Sequence, residues 1–90
     1  RVLVVDDSAF VRKAVGRMLA TADDIEVVGY AKDGEEGLEL ARQLKPDVVT
    51  LDVRMPRLGG LETLERLMAE QPLPVLEMTV RGSIERRDRF

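Results

Sequence analysis

The sequence predicts an α/β protein with a doubly wound parallel sheet. Short and nearly continuous apolar runs, which are typical of parallel strands covered on both faces, alternate with longer stretches in which apolar residues recur every three or four positions. The predicted order is strand, helix, strand, helix, strand, helix, strand, with short connections. Right-handed crossovers close a chain of this order most simply into one parallel sheet with helices on both faces.

The first strand and the first helix have clear boundaries in the sequence. Val2–Val5 is a continuous apolar strand that runs into Asp6 and Asp7. Ser8 can accept a hydrogen bond from the backbone of the following turn and so cap a helix that extends to about residue 20. β-branched and aromatic residues then predict a second strand over residues 25–30.

Turn residues and proline mark the later boundaries. A turn signal at residues 33–34 precedes the second helix, and Pro46 ends it. The third strand covers residues 47–52, a buried pattern that brings Asp52 to the start of a loop. Leucine and methionine at helical spacing place the third helix between residues 61 and 70.

The end of the chain is less regular. Val75–Met78 has the apolar character of a fourth strand apart from Glu77, so residues 1–78 form the predicted domain core. Residues 79–90 have no clean period and are expected to form a divergent C-terminal tail, either a short helix or a frayed arm. The fourth strand would then be a sheet edge. Its unpaired backbone groups are expected to favour homo-oligomers, with the charge of Glu77 opposing such pairing.

Composition restricts the partners and the location. Ninety residues with 44% hydrophobic and 34% charged content predict one globular domain. A net charge of −3 with both signs mixed argues against direct nucleic-acid binding and against a membrane-binding basic patch. The chain has no cysteine, no apolar run of membrane-spanning length and no signal-peptide pattern, so we expect a cytoplasmic protein.

The absence of histidine and cysteine excludes several kinds of active site. A serine-histidine-acid triad, a cysteine nucleophile and a typical zinc site all require one of these residues. If the acidic residues bind a metal, it must be a cation that prefers oxygen ligands, such as Mg²⁺, Ca²⁺ or Mn²⁺.

Carboxylates follow two of the predicted strands. In the commonest small doubly wound sheet, strands one and three are neighbours, about 4.8 Å apart. Their carboxyl ends meet at the switch point of the sheet, so Asp6 or Asp7 and Asp52 are expected to converge there. Carboxylates in one pocket repel each other unless a divalent cation neutralises them, and Mg²⁺ also accepts a phosphoryl oxygen as a ligand. The pattern therefore suggests phosphoryl chemistry on Asp52.

Three segments resemble the receiver domain of bacterial two-component response regulators. They are Val4-Val5-Asp6-Asp7-Ser8, the run from Lys45 to Pro56, and Gly59-Gly60-Leu61-Glu62-Thr63-Leu64. An acid pair after strand one, combined with Asp-x-x-Met-Pro after strand three, is a specific pattern. The resemblance covers roughly residues 1–76 and implies a flavodoxin-like fold with strand order 2-1-3-4-5. Residues 51–56, 67–68 and 73–75 more narrowly resemble the receiver of the chemotaxis methylesterase.

The resemblance implies a role for each matching residue. Asp52 would accept a phosphoryl group from a histidine kinase. Asp7 would bind Mg²⁺ directly, Asp6 largely through water, and the backbone carbonyl of Arg54 would add another ligand. Thr79 falls where the family keeps a hydroxyl residue that moves to meet the phosphoryl group. Such a domain controls an output domain or an effector protein and is not itself an enzyme.

The sequence also departs from the family. Receivers use a lysine at the end of strand five, whereas the only lysines here are Lys13, Lys32 and Lys45. The fold is therefore expected to lack the fifth strand and the helix after it, through truncation or as a natural variant. An inactive receiver remains an alternative. A Mg²⁺-dependent aspartyl phosphatase is another, although that class uses alternating acids, and a flavin-binding module is disfavoured because the glycine-rich phosphate loop is missing.

Overall fold

A computed structural model of the chain describes residues 1–52, 59–78 and 84–87. These residues form a five-stranded sheet and three helices. The elements are β1 (Val2–Val5), α1 (Ala9–Ala20), β2 (Val27–Ala31), α2 (Gly34–Leu44), β3 (Val48–Asp52), α3 (Gly60–Glu70), β4 (Val75–Met78) and β5 (Ile84–Arg87). The sheet order is β2-β1-β3-β4-β5, with β1 to β4 parallel and β5 antiparallel to β4. The predicted doubly wound parallel sheet is confirmed for the first four strands.

Two apolar cores lie on the two faces of the sheet. Every residue of β1 is buried, because alternate side chains of a central strand enter opposite cores. The larger core joins the sheet to α2 and α3 and contains Leu3, Val5, Ala31, Leu38, Ala41, Val49, Leu51, Leu64, Leu67, Leu73 and Val75. The smaller core lies under α1 and contains Val2, Val4 and Val15. The central strands are thus held from both sides.

Local hydrogen bonds begin and end the helices. The Ser8 hydroxyl accepts a hydrogen bond from the backbone N–H of Val11 at 3.2 Å, which confirms the predicted cap of α1. The Asp33 carboxylate accepts one from the N–H of Glu36 at 2.8 Å and caps α2. Lys45 has a φ of 47° and ends α2 in the left-handed conformation.

The start of β2 differs slightly from the prediction. The N–H of Ile25 donates to the carbonyl of Ala22 at 3.3 Å, so residue 25 belongs to the turn and β2 begins at Val27. The register against β1 shifts between Val2 and Leu3, which is a local irregularity of the pairing.

The expectation for the tail was wrong over residues 84–87, which form β5 instead of a helix or a frayed arm. The backbone of β5 pairs with β4 from Val75 opposite Arg87 to Met78 opposite Ile84. An antiparallel neighbour needs only a short reversal, whereas a parallel one needs a crossover of about a dozen residues. The five residues between β4 and β5 allow only the former.

β5 also corrects the expected oligomer interface. β4 pairs with β3 on one side and with β5 on the other, so it is not a sheet edge. The unpaired backbone groups that were expected to recruit a second chain are hydrogen-bonded within the sheet. The proposed homo-oligomer through the fourth strand therefore loses its structural basis.

Two leucines of α3 provide a test of the larger core. Leu64 is fully buried, whereas Leu61 on the same helix is 61% exposed. Leu64→Ala should lower the free energy of unfolding by about 2–5 kcal/mol, because it removes buried methyl groups and leaves a cavity. Leu61→Ala should change it by less than about 0.5 kcal/mol. Urea unfolding of both variants measures the difference, and equal effects would show that α3 does not pack as described.

Candidate functional site

The carboxyl ends of β1 and β3 bring three aspartates together. The two strands are hydrogen-bonded neighbours in register from Val2 opposite Val48 to Val5 opposite Leu51. Asp6 and Asp7 follow β1, and Asp52 ends β3. One carboxylate oxygen from each of the three aspartates lies within 4.8 Å of the others. The convergence predicted from the sequence is therefore present.

Hydrogen bonds fix the turn that carries Asp6. Its backbone N–H donates to the carbonyl of Ala31 at 3.0 Å, and its carboxylate accepts a hydrogen bond from the N–H of Ser8 at 2.9 Å. The Arg12 guanidinium donates to the Asp6 carbonyl at 2.7 Å. β2, the first loop and α1 thus all hold this residue in place.

The three aspartates differ in exposure. Asp6 is only 4% exposed, Asp52 is partly buried and Asp7 is exposed. Burial raises the pKa of the Asp6 carboxyl, and the charges of Asp52 and Asp7 raise it further. The Ser8 hydrogen bond and the Arg12 charge act in the opposite direction without cancelling that effect. The cluster therefore disfavours full ionisation on its own.

The donor set fits a hard divalent cation. All three side chains offer carboxylate oxygens, which are the ligands that Mg²⁺ prefers, and the chain has no imidazole or thiolate to favour a softer metal. A divalent cation would also relieve the repulsion that raises the pKa of Asp6. The residues present are thus compatible with Mg²⁺.

Two of the site residues expected from the sequence lie outside the described part of the chain. These are Arg54 and Thr79. Conversely, sequence reasoning missed the contact of Arg12 with the Asp6 carbonyl. Arg12 lies one helical turn after the capping residue Ser8, so its spacing was an available signal that it could reach the acidic loop.

Comparisons with known proteins agree with this fold and site. The family described as "Response regulator receiver domain" matches residues 2–90. A protein-glutamate methylesterase/protein-glutamine glutaminase of Lawsonia intracellularis is 58% identical over 76 residues, which are 84% of this chain and 21% of that protein. The response regulator domain of Thermotoga maritima CheB is 48% identical with a TM-score of 0.85, over 88% of this chain and 59% of that chain.

A further solved structure is the CheX-CheY-BeF₃-Mg²⁺ complex of Borrelia burgdorferi. It is 32% identical with a TM-score of 0.78, over 91% of this chain and 63% of that chain. The fold, the acidic cluster and these matches define a signal receiver, and the chain belongs to the response regulator receiver domain family. Within it, the chain is similar to the receiver parts of protein-glutamate methylesterases and of CheB.

The resemblance seen in the sequence is thereby confirmed. The chain spans about a fifth of the length of the curated methylesterases that it matches. None of the helices in the described residues is long and apolar enough to span a membrane.

The electrostatics of Asp6 can be tested by substitution. Asp6→Asn removes the buried charge and keeps an oxygen that can accept the Ser8 hydrogen bond. Without divalent cations at pH 7, the variant should be more stable than the wild type, because the folded wild type bears the cost of the buried charge. The pKa of Asp6 is raised in the folded state, so the wild type loses stability as the pH rises through that pKa. The difference between the two proteins should therefore vanish below about pH 4.

Urea unfolding at several pH values measures this difference. Asp24→Asn is the matched control, because Asp24 is exposed and outside the cluster. It should leave stability nearly unchanged. A less stable Asp6→Asn variant at pH 7 would show that the ionised carboxylate is favoured in the fold and would contradict the proposed origin of the shift.

Proposed function

We propose that this domain is a phosphoacceptor: Asp52 receives a phosphoryl group from a histidine kinase, and Asp6, Asp7 and Asp52 hold Mg²⁺ beside it. The observation that carries the proposal is the meeting of three carboxylates at the ends of β1 and β3. Asp52 ends its strand and remains partly exposed, so its carboxylate can be reached by a donor. Ligands are expected at this edge of such a sheet.

The proposed step transfers a phosphoryl group from a nitrogen atom of the phosphohistidine to a carboxylate oxygen of Asp52. A carboxylate oxygen of Asp52 forms a bond to phosphorus, the phosphorus–nitrogen bond of the phosphohistidine breaks, and its electron pair stays on the imidazole nitrogen. When bound, Mg²⁺ supplies positive charge that neutralises the carboxylates and the phosphoryl oxygens. Arg54, through its carbonyl, and Thr79, through its hydroxyl, are proposed as further contacts by the resemblance to the family.

The output is proposed from the relatives. The similar proteins named as protein-glutamate methylesterases support a role in chemotaxis, in which phosphorylation of Asp52 controls a methylesterase output domain. Receiver domains regulate such outputs. The chain itself is proposed to act on no external substrate.

The missing lysine predicts slow phosphorylation. Lys13 lies on α1, Lys32 follows β2 and Lys45 ends α2, so none of them follows β4 in the chain. A cation that contacts a transferring phosphoryl group contributes on the order of 10²-fold or more to the rate. We therefore expect labelling by a small donor to be slower by this order than in a receiver that has the lysine.

Labelling of Asp52 can be measured with acetyl phosphate and Mg²⁺. Intact-mass spectrometry should show slow addition of one phosphoryl group to the wild type, and none to Asp52→Asn. Asp47→Asn is the matched control, because Asp47 is exposed and precedes the same strand at its opposite end. Equal labelling of wild type and Asp52→Asn would refute Asp52 as the acceptor. Rapid labelling of the wild type would show that another cation replaces the lysine.

Beryllofluoride distinguishes the acceptor from a phosphatase. The domain should bind beryllofluoride in the presence of Mg²⁺, and this binding should be lost in Asp52→Asn and in Asp7→Ala. Turnover of a generic phosphate ester would instead favour an aspartyl phosphatase. Mg²⁺ titrations that are unchanged in both variants would refute the proposed metal ligands.

A further inference from the structure

The peptide that joins Asp6 to Asp7 lies between two of the three aspartates of the site. The N–H of Asp6 donates to the carbonyl of Ala31 at 3.0 Å, which fixes the peptide before Asp6. The N–H of Ser8 donates to the Asp6 carboxylate at 2.9 Å, which fixes the side chain. The Asp6 carbonyl accepts no hydrogen bond from a backbone N–H in the described part of the chain. Backbone pairing among these residues therefore leaves the peptide that leads into Asp7 unfixed.

Arg12 supplies a donor for this carbonyl. Its guanidinium donates to the carbonyl oxygen of Asp6 at 2.7 Å. Because a peptide unit is planar, the direction of its carbonyl also sets the direction of the Asp7 N–H and the position of the Asp7 Cα atom. The hydrogen bond from Arg12 thus fixes where Asp7 begins relative to Asp6.

The geometry of α1 explains why Arg12 reaches the acidic loop. The backbone N–H of Arg12 donates to the Ser8 carbonyl at 2.9 Å, which places Arg12 in the first turns of the helix. Long side chains of a helix lean toward its N-terminus, so the partly buried Arg12 is directed back to the loop. Lys13 lies about 100° further around the helix, is exposed and takes part in none of the ion pairs among the described residues.

The charge of Arg12 has a smaller effect on the site than its hydrogen bond would have. Burial raises the pKa of the Asp6 carboxyl most, whereas the charge of Arg12 lowers it and has the smallest influence among the groups that shift it. A cation beside a metal site also repels the metal, so the charge alone would weaken Mg²⁺ binding. A hydrogen bond that orients metal ligands strengthens binding, because the ligands are arranged before the metal arrives.

We propose that Arg12 is a positioning residue for the metal site: its hydrogen bond to the Asp6 carbonyl orients the Asp6–Asp7 peptide so that both carboxylates lie beside that of Asp52. The inference rests on the proposed function, because it assigns Arg12 to the Mg²⁺ site of the phosphoacceptor. In this role Arg12 acts through the peptide and not as a metal ligand. Its removal would let the peptide rotate and would lower the Mg²⁺ affinity of a domain that is still folded.

Magnesium titrations of the wild type and of matched variants test the proposal, with binding followed by amide chemical shifts. Arg12→Met keeps a long side chain of similar helix propensity but removes the hydrogen bond, and should weaken Mg²⁺ binding by about tenfold. Lys13→Met is the control, because it removes the same charge from the neighbouring exposed residue. It should leave the affinity unchanged or raise it slightly, since a positive charge repels Mg²⁺. Arg12→Lys keeps the charge and a donor but not the planar fork, and should bind with intermediate affinity.

The metal-free proteins supply a second measurement. The carbonyl carbon shift of Asp6 and the amide shift of Asp7 should change in Arg12→Met and stay unchanged in Lys13→Met. Urea unfolding of the same proteins separates positioning from stability. A less stable Arg12→Met variant with unchanged Mg²⁺ affinity would show a merely structural role and would overturn the proposal.

Further outcomes also decide against the role of Arg12. Unchanged or tighter Mg²⁺ binding by Arg12→Met, or equal weakening by Lys13→Met, would overturn it. If Arg12→Met does not fold, Arg12→Lys is the deciding variant, and binding equal to that of the wild type would overturn the proposal. Binding that is lost in Asp7→Ala but unchanged in Arg12→Met would refute only the role of Arg12. A wild type that binds no Mg²⁺ would refute the metal site of the proposed function and this role with it.

Discussion

The convergence of three carboxylates at the ends of β1 and β3 is the constraint on which the rest of the site depends. Adjacent parallel strands must deliver their carboxyl ends to one edge of the sheet, and here both β1 and β3 lead into aspartates. Burial of Asp6 increases the cost of its charge. The hydrogen bond from Ser8 and the proximity of Arg12 offset part of that cost. The fold thereby maintains a site with excess negative charge, which is suited to a divalent cation and to chemistry on a phosphoryl group.

A rigid scaffold is needed to hold such a site. β1 is buried on both faces and contributes side chains to both cores. β3 contributes Val49 and Leu51 to the larger core. Thr50, two residues before Asp52, has a buried hydroxyl with no hydrogen-bond partner in the part of the chain that the structure describes. A group of this kind costs about 1–3 kcal/mol. The apolar contacts around β3 therefore have to compensate for polar groups within the strand as well as at its end.

The two faces of the sheet have different surfaces. On one side, Arg42 of α2 pairs with Glu39 of the same helix and with Glu70 of α3, and the Glu70 hydrogen bond raises the pKa of Arg42. These residues are exposed, so the pairs contribute little to stability. On the other side, α1 presents Lys13 and Arg17, which form no ion pair with the residues that the structure describes, near the aromatic ring of Tyr30. The two faces thus differ in charge, because the charged residues of α1 are all basic whereas those of α2 and α3 are mostly acidic.

The sequence by itself determined the parallel βα framework and the convergence of Asp6, Asp7 and Asp52. Both follow from local patterns: apolar runs define strands, caps define helices, and parallel strands end at one edge. The pairing of β5 with β4, the burial of Asp6 and the packing of Tyr30 on Gly16 were decided only by the tertiary structure. β5 depends on the open backbone edge of β4, and the burial of Asp6 depends on the elements that close around it. The packing of Tyr30 on Gly16 depends on residues that two different elements, β2 and α1, bring together. Which backbone edges stay open and which residues are covered depends on how the elements pack, and no local periodicity encodes it.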